Sequence, residues 1–202
     1  MGGMAKRRVA AWAQTVDMDD STSFQWFLAS CYEDLIANRG RWSSAGFQAV
    51  VTHRLGTWAK ATGGPRGYVG TLIYRLADWF IRNVYGVELP RSAVIGRRLH
   101  LPHATGVVVS RQAVIGDDCM LRQGVTIGLF DRGRPRKPPH APKLGNLVQV
   151  GAGAIVVGGV TVGDEARIGP NAVVVTDVPS GGSAFARAAA VMDPLTDEAH
   201  HE

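Results

Sequence analysis

Side chains able to do chemistry are spread unevenly along the 202 residues. The densest group lies in 131–143, DRGRPRKPPHAPK, where Arg132, Arg134, Arg136, Lys137 and Lys143 stand against the single acid Asp131, and His140 sits among four prolines. A small phosphorylated ligand suits such a loop, because ammonium and guanidinium groups hold phosphate oxygens through charge-assisted hydrogen bonds. Nucleic acid does not: the net charge is only +5, and both signs run throughout the chain without forming a basic arm. Cys31 and Cys119 fall in segments of different character and make no metal-binding spacing, so both are expected as reduced thiols, and neither as a nucleophile.

The elements that must position these groups are of two kinds. All five Trp and all four Tyr lie at or before residue 85, and after it only Phe130 and Phe185 are aromatic. Two different cores follow. In the first part apolar residues recur at helical spacing, through Phe24, Phe27, Leu28, Cys31 and Leu35, then Phe47, Val50, Val51, Leu55 and Trp58, then Val69, Leu72, Ile73, Leu76, Phe80 and Val84. This predicts three amphipathic helices whose stripes pack together. The first begins after the capping run DDSTS and ends at Asn38-Arg39-Gly40; the second and third are divided at Thr62-Gly63-Gly64-Pro65.

After residue 90 the helical period gives way to steps of six: Ile95, Leu101, Val107; Ile115, Leu121, Ile127; Val150, Val156, Val162, Ile168, Val174. Gly often follows the aliphatic residue, as at Gly96, Gly116, Gly128, Gly151, Gly163 and Gly169. Short strands turning at every sixth residue stack into a parallel β-helix, whose narrow interior admits aliphatics and excludes Trp and Tyr. A β-sandwich would show period two without a fixed six-residue step. Two breaks interrupt the repeat: a step of eight from Val107 to Ile115, and an insertion at about 129–147 that carries the basic run. The chain therefore divides into a loose segment 1–20, a helical domain 21–86, a β-helix 87–192 and a loose tail 193–202. No run is long and apolar enough to span a membrane and no signal-peptide core is present, so a cytoplasmic location is expected.

Helices followed by hexapeptide coils, with His103-Ala104-Thr105-Gly106, then Gln123-Gly124-Val125-Thr126-Ile127-Gly128, then Pro142-Lys143-Leu144 and Val150-Gly151-Ala152-Gly153-Ala154, resemble the serine O-acetyltransferases of the hexapeptide acyltransferase superfamily. The helix containing Gly46-Phe47-Gln48-Ala49 and His53-Arg54-Leu55-Gly56-Thr57-Trp58 resembles that family's helical domain. The resemblance covers roughly residues 30–185. It implies a left-handed β-helix, an exception to the usual right-handed crossover, assembled as a homotrimer or a dimer of trimers with sites between prisms. It also implies acetyl-CoA as donor, no metal, and a setting in cysteine biosynthesis.

Acetyl transfer from a thioester to an alcohol needs a base for the hydroxyl proton, and a neutral imidazole suits that near pH 7. The resemblance gives this role to His103 and the orienting carboxylate to Glu88, where the family usually has Asp. It sets His140 near the acceptor's carboxylate, in place of an Arg-His pair that is not intact here, and Asp34 near its amine. For CoA it offers Gly128, Gly151, Ala152 and Gly169, whose small size lets pantetheine lie along the coils, with Lys143 at a phosphate. Pro102 stands where the family has an acid, and Arg187-Ala188-Ala189-Ala190 replaces its Val-Pro-Ala-Arg. The acceptor is thus serine or a related small alcohol, with a sugar or exopolysaccharide precursor as the alternative. A non-catalytic scaffold and a γ-carbonic-anhydrase-like zinc lyase using His100, His103 and His140 are further readings; the histidine spacing does not resemble the latter. The family's docking to a sulfhydrylase through a C-terminal Ile is not expected of a chain ending His200-His201-Glu202.

Overall fold

The computed structural model describes residues 15–129 and 141–188. His140, Arg132, Arg134, Arg136, Lys137 and the C-terminal tail lie outside them. Helix α1 (Phe24–Ala37) starts at Ser23, whose hydroxyl accepts from the Gln25 N–H, and is capped by Asn38. Helix α2 (Ala45–Thr62) starts at Ser44, which accepts from the Phe47 N–H. Gly63, at φ +62°, ends α2 and leads into α3 (Gly64–Phe80), which continues as a π-helical turn, Ile81–Tyr85, closed by Gly86.

Helices α2 and α3 approach closely because small residues meet between them. A Cβ on Gly67 would come within 2.7 Å of the Ala59 carbonyl oxygen, and one on Gly56 within 2.6 Å of the Tyr74 ring. This contact corrects the packing expected for the third helix. The small face of α3 turns inward, and Val69, Leu72, Ile73, Leu76, Phe80 and Val84 face outward, 43 to 72% exposed. Period alone locates an apolar stripe; it does not say that a neighbouring helix of the same chain covers it.

Among the described residues twelve short strands form three parallel ladders, one on each side of a left-handed β-helix. The first joins β1 (Val94–Ile95), β3 (Val114–Ile115), β6 (Lys143–Leu144) and β9 (Thr161–Val162). The second joins β4 (Met120–Leu121), β7 (Gln149–Val150), β10 (Arg167–Ile168) and β12 (Ser183–Ala184), and the third β2 (Val108–Val109), β5 (Thr126–Gly128), β8 (Ile155–Val157) and β11 (Val173–Val174). Ile115, Leu121, Ile127, Leu144, Val150, Val156, Val162, Ile168 and Val174 fill the interior at 0 to 4% exposure.

The pairing shifts the register read from sequence at one point. Val109, not Val107, stands opposite Ile127, so the step of eight falls between Leu101 and Val109. Val107 is a corner residue and is also fully buried, which is why residue type could not separate the two. After the insertion the repeat resumes at Leu144, before residue 147.

The first coil has no coil beneath it, and polar side chains of the helices meet its free backbone groups. Arg54 donates to the carbonyls of Ile95 (2.7 Å) and Gly96 (2.5 Å). Asn38 donates to the Leu99 carbonyl (2.9 Å) and accepts from the Leu101 N–H (3.2 Å), and the Arg91 N–H reaches the Tyr74 hydroxyl (3.4 Å). His53 lies against the carbonyls of Leu89 and Pro90, and its Nδ1 has no partner among the described residues.

Burial, and secondarily the Arg54 charge, hold the His53 imidazole down to about 3, from 6.5. Between those values the unfolded chain binds a proton that the folded chain refuses, so this residue makes stability fall as pH falls. The slope is at most about 1.4 kcal/mol per pH unit. His53→Gln should remove that contribution, seen in urea unfolding at pH 7, 5.5 and 4.5 as a shallower acid limb than that of the parent protein.

Candidate active site

Six residues per side of each coil leave no slack at a corner, so an insertion must bulge outward. Leu101 and Val107 are buried, and the five residues between them occupy a corner that Arg122, Gln123 and Gly124 turn in three on the next coil. His103 sits on this bulge at φ +54°, exposed, in a backbone region that few side chains adopt without surrounding support. That support is visible. The Thr105 N–H donates to the His103 carbonyl (2.7 Å), the Gly124 N–H to the Thr105 carbonyl (2.8 Å) and the Gly106 N–H to the Tyr85 carbonyl (3.3 Å).

Glu88 enters the same region from below. Its N–H donates to the Val107 carbonyl (2.8 Å), and its carbonyl accepts from the Val109 N–H (2.9 Å), which fixes its backbone four residues beyond His103. The Glu88 carboxylate is 46% exposed and lies 3.5 Å from the Arg82 guanidinium; among the described residues no hydrogen bond joins it to His103.

The residues expected at the cofactor fall into two groups. Gly151, Ala152 and Gly169 lie on the corner that carries the His103 bulge, above it along the stack: the Gly153 N–H donates to Gln123 and the Asn171 N–H to Ala152. This edge is nearly free of side chains where Gly106, Gly124 and Gly153 follow one another at φ +67° to +70°. Part of that smallness is structural, since a Cβ on Gly151 would strike the Pro170 nitrogen at 2.6 Å. Gly128 and Lys143 lie elsewhere, on either side of the basic insertion, Gly128 ending β5 and Lys143, exposed, beginning β6.

Asp34 is not at an open site. It is 0% exposed, and its carboxylate receives the Arg54 Nε–H at 2.8 Å, so the structure corrects the expectation that it meets an acceptor's amine. A buried guanidinium needs a carboxylate, and Asp34 serves that need. Burial pushes the Cys31 thiol up to about 12 and the Cys119 thiol up to about 11, so neither is a ready nucleophile. No three His, Cys, Asp or Glu side chains converge on a metal position among the described residues. In the sequence Asn38 marks only a helix end and Arg54 only part of the helical-domain resemblance; their hold on the first coil emerges from where they are buried.

Comparison with known proteins bears on the family and the fold. Residues 141–176, from just before β6 to just after β11, match the bacterial transferase hexapeptide (six repeats) model. A serine acetyltransferase of Helicobacter pylori (strain J99) is 40% identical over 152 residues, covering 73% of this chain and 84% of that protein. The chain belongs to the serine acetyltransferase family. The family's serine acetyltransferase of Synechococcus elongatus is 38% identical over 157 residues, covering 74% of this chain, which spans only 61% of that longer relative. A solved serine acetyltransferase in complex with CoA superposes with a TM-score of 0.66 at 27% identity, covering 83% of this chain and 70% of the other.

Proposed function

We propose that the protein is an acetyl-CoA-dependent O-acetyltransferase acting on serine or a related small hydroxylated acceptor. The observation that carries this reading is the two-residue bulge presenting His103 beside a side-chain-poor corner of the stack. Family membership, and the relative solved with CoA, supply the donor.

In the reaction the neutral His103 imidazole takes the acceptor's hydroxyl proton as that oxygen attacks the thioester carbonyl. The new C–O bond forms, the C–S bond breaks, and the proton passes to the departing CoA thiolate. Glu88, with its backbone fixed against Val107 and Val109, is the group to orient the imidazolium once a neighbouring subunit excludes water. Pantetheine lies along Gly151, Ala152 and Gly169. Lys143 and the basic insertion, with His140, meet the nucleotide phosphates and the acceptor. In the prism of a single chain Lys143 and the His103 corner are on different sides, which supports sites shared between neighbouring prisms in a homotrimer. The exposed stripe of α3 is suited to joining chains or trimers through the helices. Acetyl-CoA and two free thiols fit a cytoplasmic setting.

A second reading is favoured by one observation. Pro102 carries no charge and Asp34 is committed to Arg54, so an acceptor amine lacks both acids expected for it. A sugar or exopolysaccharide precursor would need neither.

His103→Ala should lower turnover by roughly 10²- to 10⁴-fold with acetyl-CoA binding retained, measured by thiol release and by calorimetry; near-normal turnover would remove the base assignment. Pro102→Asp should raise kcat/KM for serine relative to acceptors without an amine by about ten- to a hundredfold, the worth of one charge-assisted hydrogen bond. If it lowers serine use instead, Pro102 is not what sets the preference. Sedimentation should give a trimer or a multiple of three, and Leu76→Glu should shift any larger assembly toward the trimer.

A further inference from the structure

The His103 imidazole makes no hydrogen bond among the described residues, so its place is set by the backbone on either side of it. On its C-terminal side that backbone is tied to the π-helical turn through Tyr85 and to the next coil through Gly124. On its N-terminal side the tie comes from the helices. Asn38, the residue that caps α1, is 5% exposed and reaches across more than sixty residues of sequence to the first coil. Its Nδ2 donates to the Leu99 carbonyl at 2.9 Å and to the Asp34 carbonyl at 2.8 Å, and its Oδ1 accepts from the Leu101 N–H at 3.2 Å. The amide thus holds the coil on both sides of His100 and stops two residues short of His103.

Those two residues form a stiff link. Leu101 is packed inside the prism, and Pro102 has its φ fixed by its ring, so a shift of Leu101 passes to His103 with little loss. The start of α2 presses on the same point, for a Cβ on Gly46 would come within 2.9 Å of the Leu101 Cβ and 3.1 Å of its carbonyl carbon.

We infer that Asn38 is a positioning residue that sets where His103 stands. The inference rests on His103 being the base. Asn38 touches neither substrate, so its loss should fall on turnover and spare binding. A misplacement of about 1 Å can cost up to a hundredfold in rate.

The test compares Asn38→Ala with Tyr74→Phe, which removes the Arg91 N–H tie at another corner of the same coil. Acetyltransfer is followed with the full-length protein, using the best acceptor found, and folded protein is quantified by circular dichroism and thermal melting. Asn38→Ala should lower kcat per folded chain by about tenfold or more while KM for acetyl-CoA stays within about twofold, and Tyr74→Phe should leave kcat within about twofold. Unchanged kcat in folded Asn38→Ala would overturn the inference, as would an equal fall in both variants, which is the mark of a merely structural tie. If Asn38→Ala does not fold, Gly46→Ala decides by the same split, because it displaces Leu101 while the Asn38 amide is kept. His103→Ala is measured in parallel: full activity there defeats the base assignment itself, a different failure from a silent Asn38.

Discussion

A solenoid has an end, and at that end the backbone groups of the first coil face no partner coil. Unpaired buried carbonyls and N–H groups cost about as much as broken hydrogen bonds, so something must meet them. Here the helical layer does so with side chains. Arg54 takes the Ile95 and Gly96 carbonyls, Asn38 takes Leu99 and Leu101, His53 lies against Leu89 and Pro90, and Tyr74 receives Arg91. The helices and the prism are therefore joined by polar contacts of fixed geometry, in addition to the apolar contacts of Ala49, Val50 and Ile81 with the core. Burying Arg54 this way requires a counter-charge, and Asp34 supplies it. A carboxylate that sequence resemblance offers to a substrate is consumed in holding the fold.

Much of the architecture was legible in the sequence because its physics is periodic. The DDSTS run ending at Ser23 and the Thr62-Gly63-Gly64-Pro65 break mark helix boundaries through local capping chemistry. The six-residue aliphatic step marks a coil whose interior has room for little else. What was not legible depends on pairs of residues far apart. Val107 and Val109 are both aliphatic and both buried, and only the ladder partner Ile127 tells which one points to the centre. The outward stripe of α3 is decided by Gly67 and Gly56, whose meaning appears only when α2 is set beside them.

The candidate site divides along the same line. His103 stands out as the histidine inside a motif of the coils, and in the structure it lies exposed on a left-handed bulge. Glu88 is offered by the family resemblance, and its backbone lies in the ladder beside the bulge, yet its carboxylate is turned to Arg82 in this single chain. Asn38 carries no signal a sequence reader could weigh: an Asn after a helix is an ordinary cap. Its second role depends on Leu99 and Leu101, which lie more than sixty residues further on.

The place of the bulge follows from the cap. In a stack of equal coils, extra residues at a corner must fit against neighbours above and below, because each coil hydrogen-bonds to both. The coil carrying His103 has a full coil partner only above; below, it meets helix side chains and the backbone of residues 85–88, which pairs with Gly106, Val107 and Val109 but belongs to no repeat. A short bulge of two residues is readily accommodated in this first coil, and it is found there, between Leu101 and Val107. The helical layer that closes the end of the prism is also what permits the irregularity on which the proposed chemistry depends. It follows that Asn38 serves two ends at once, satisfying the backbone of this coil and setting the place of the bulge, and neither task could be changed without disturbing the other.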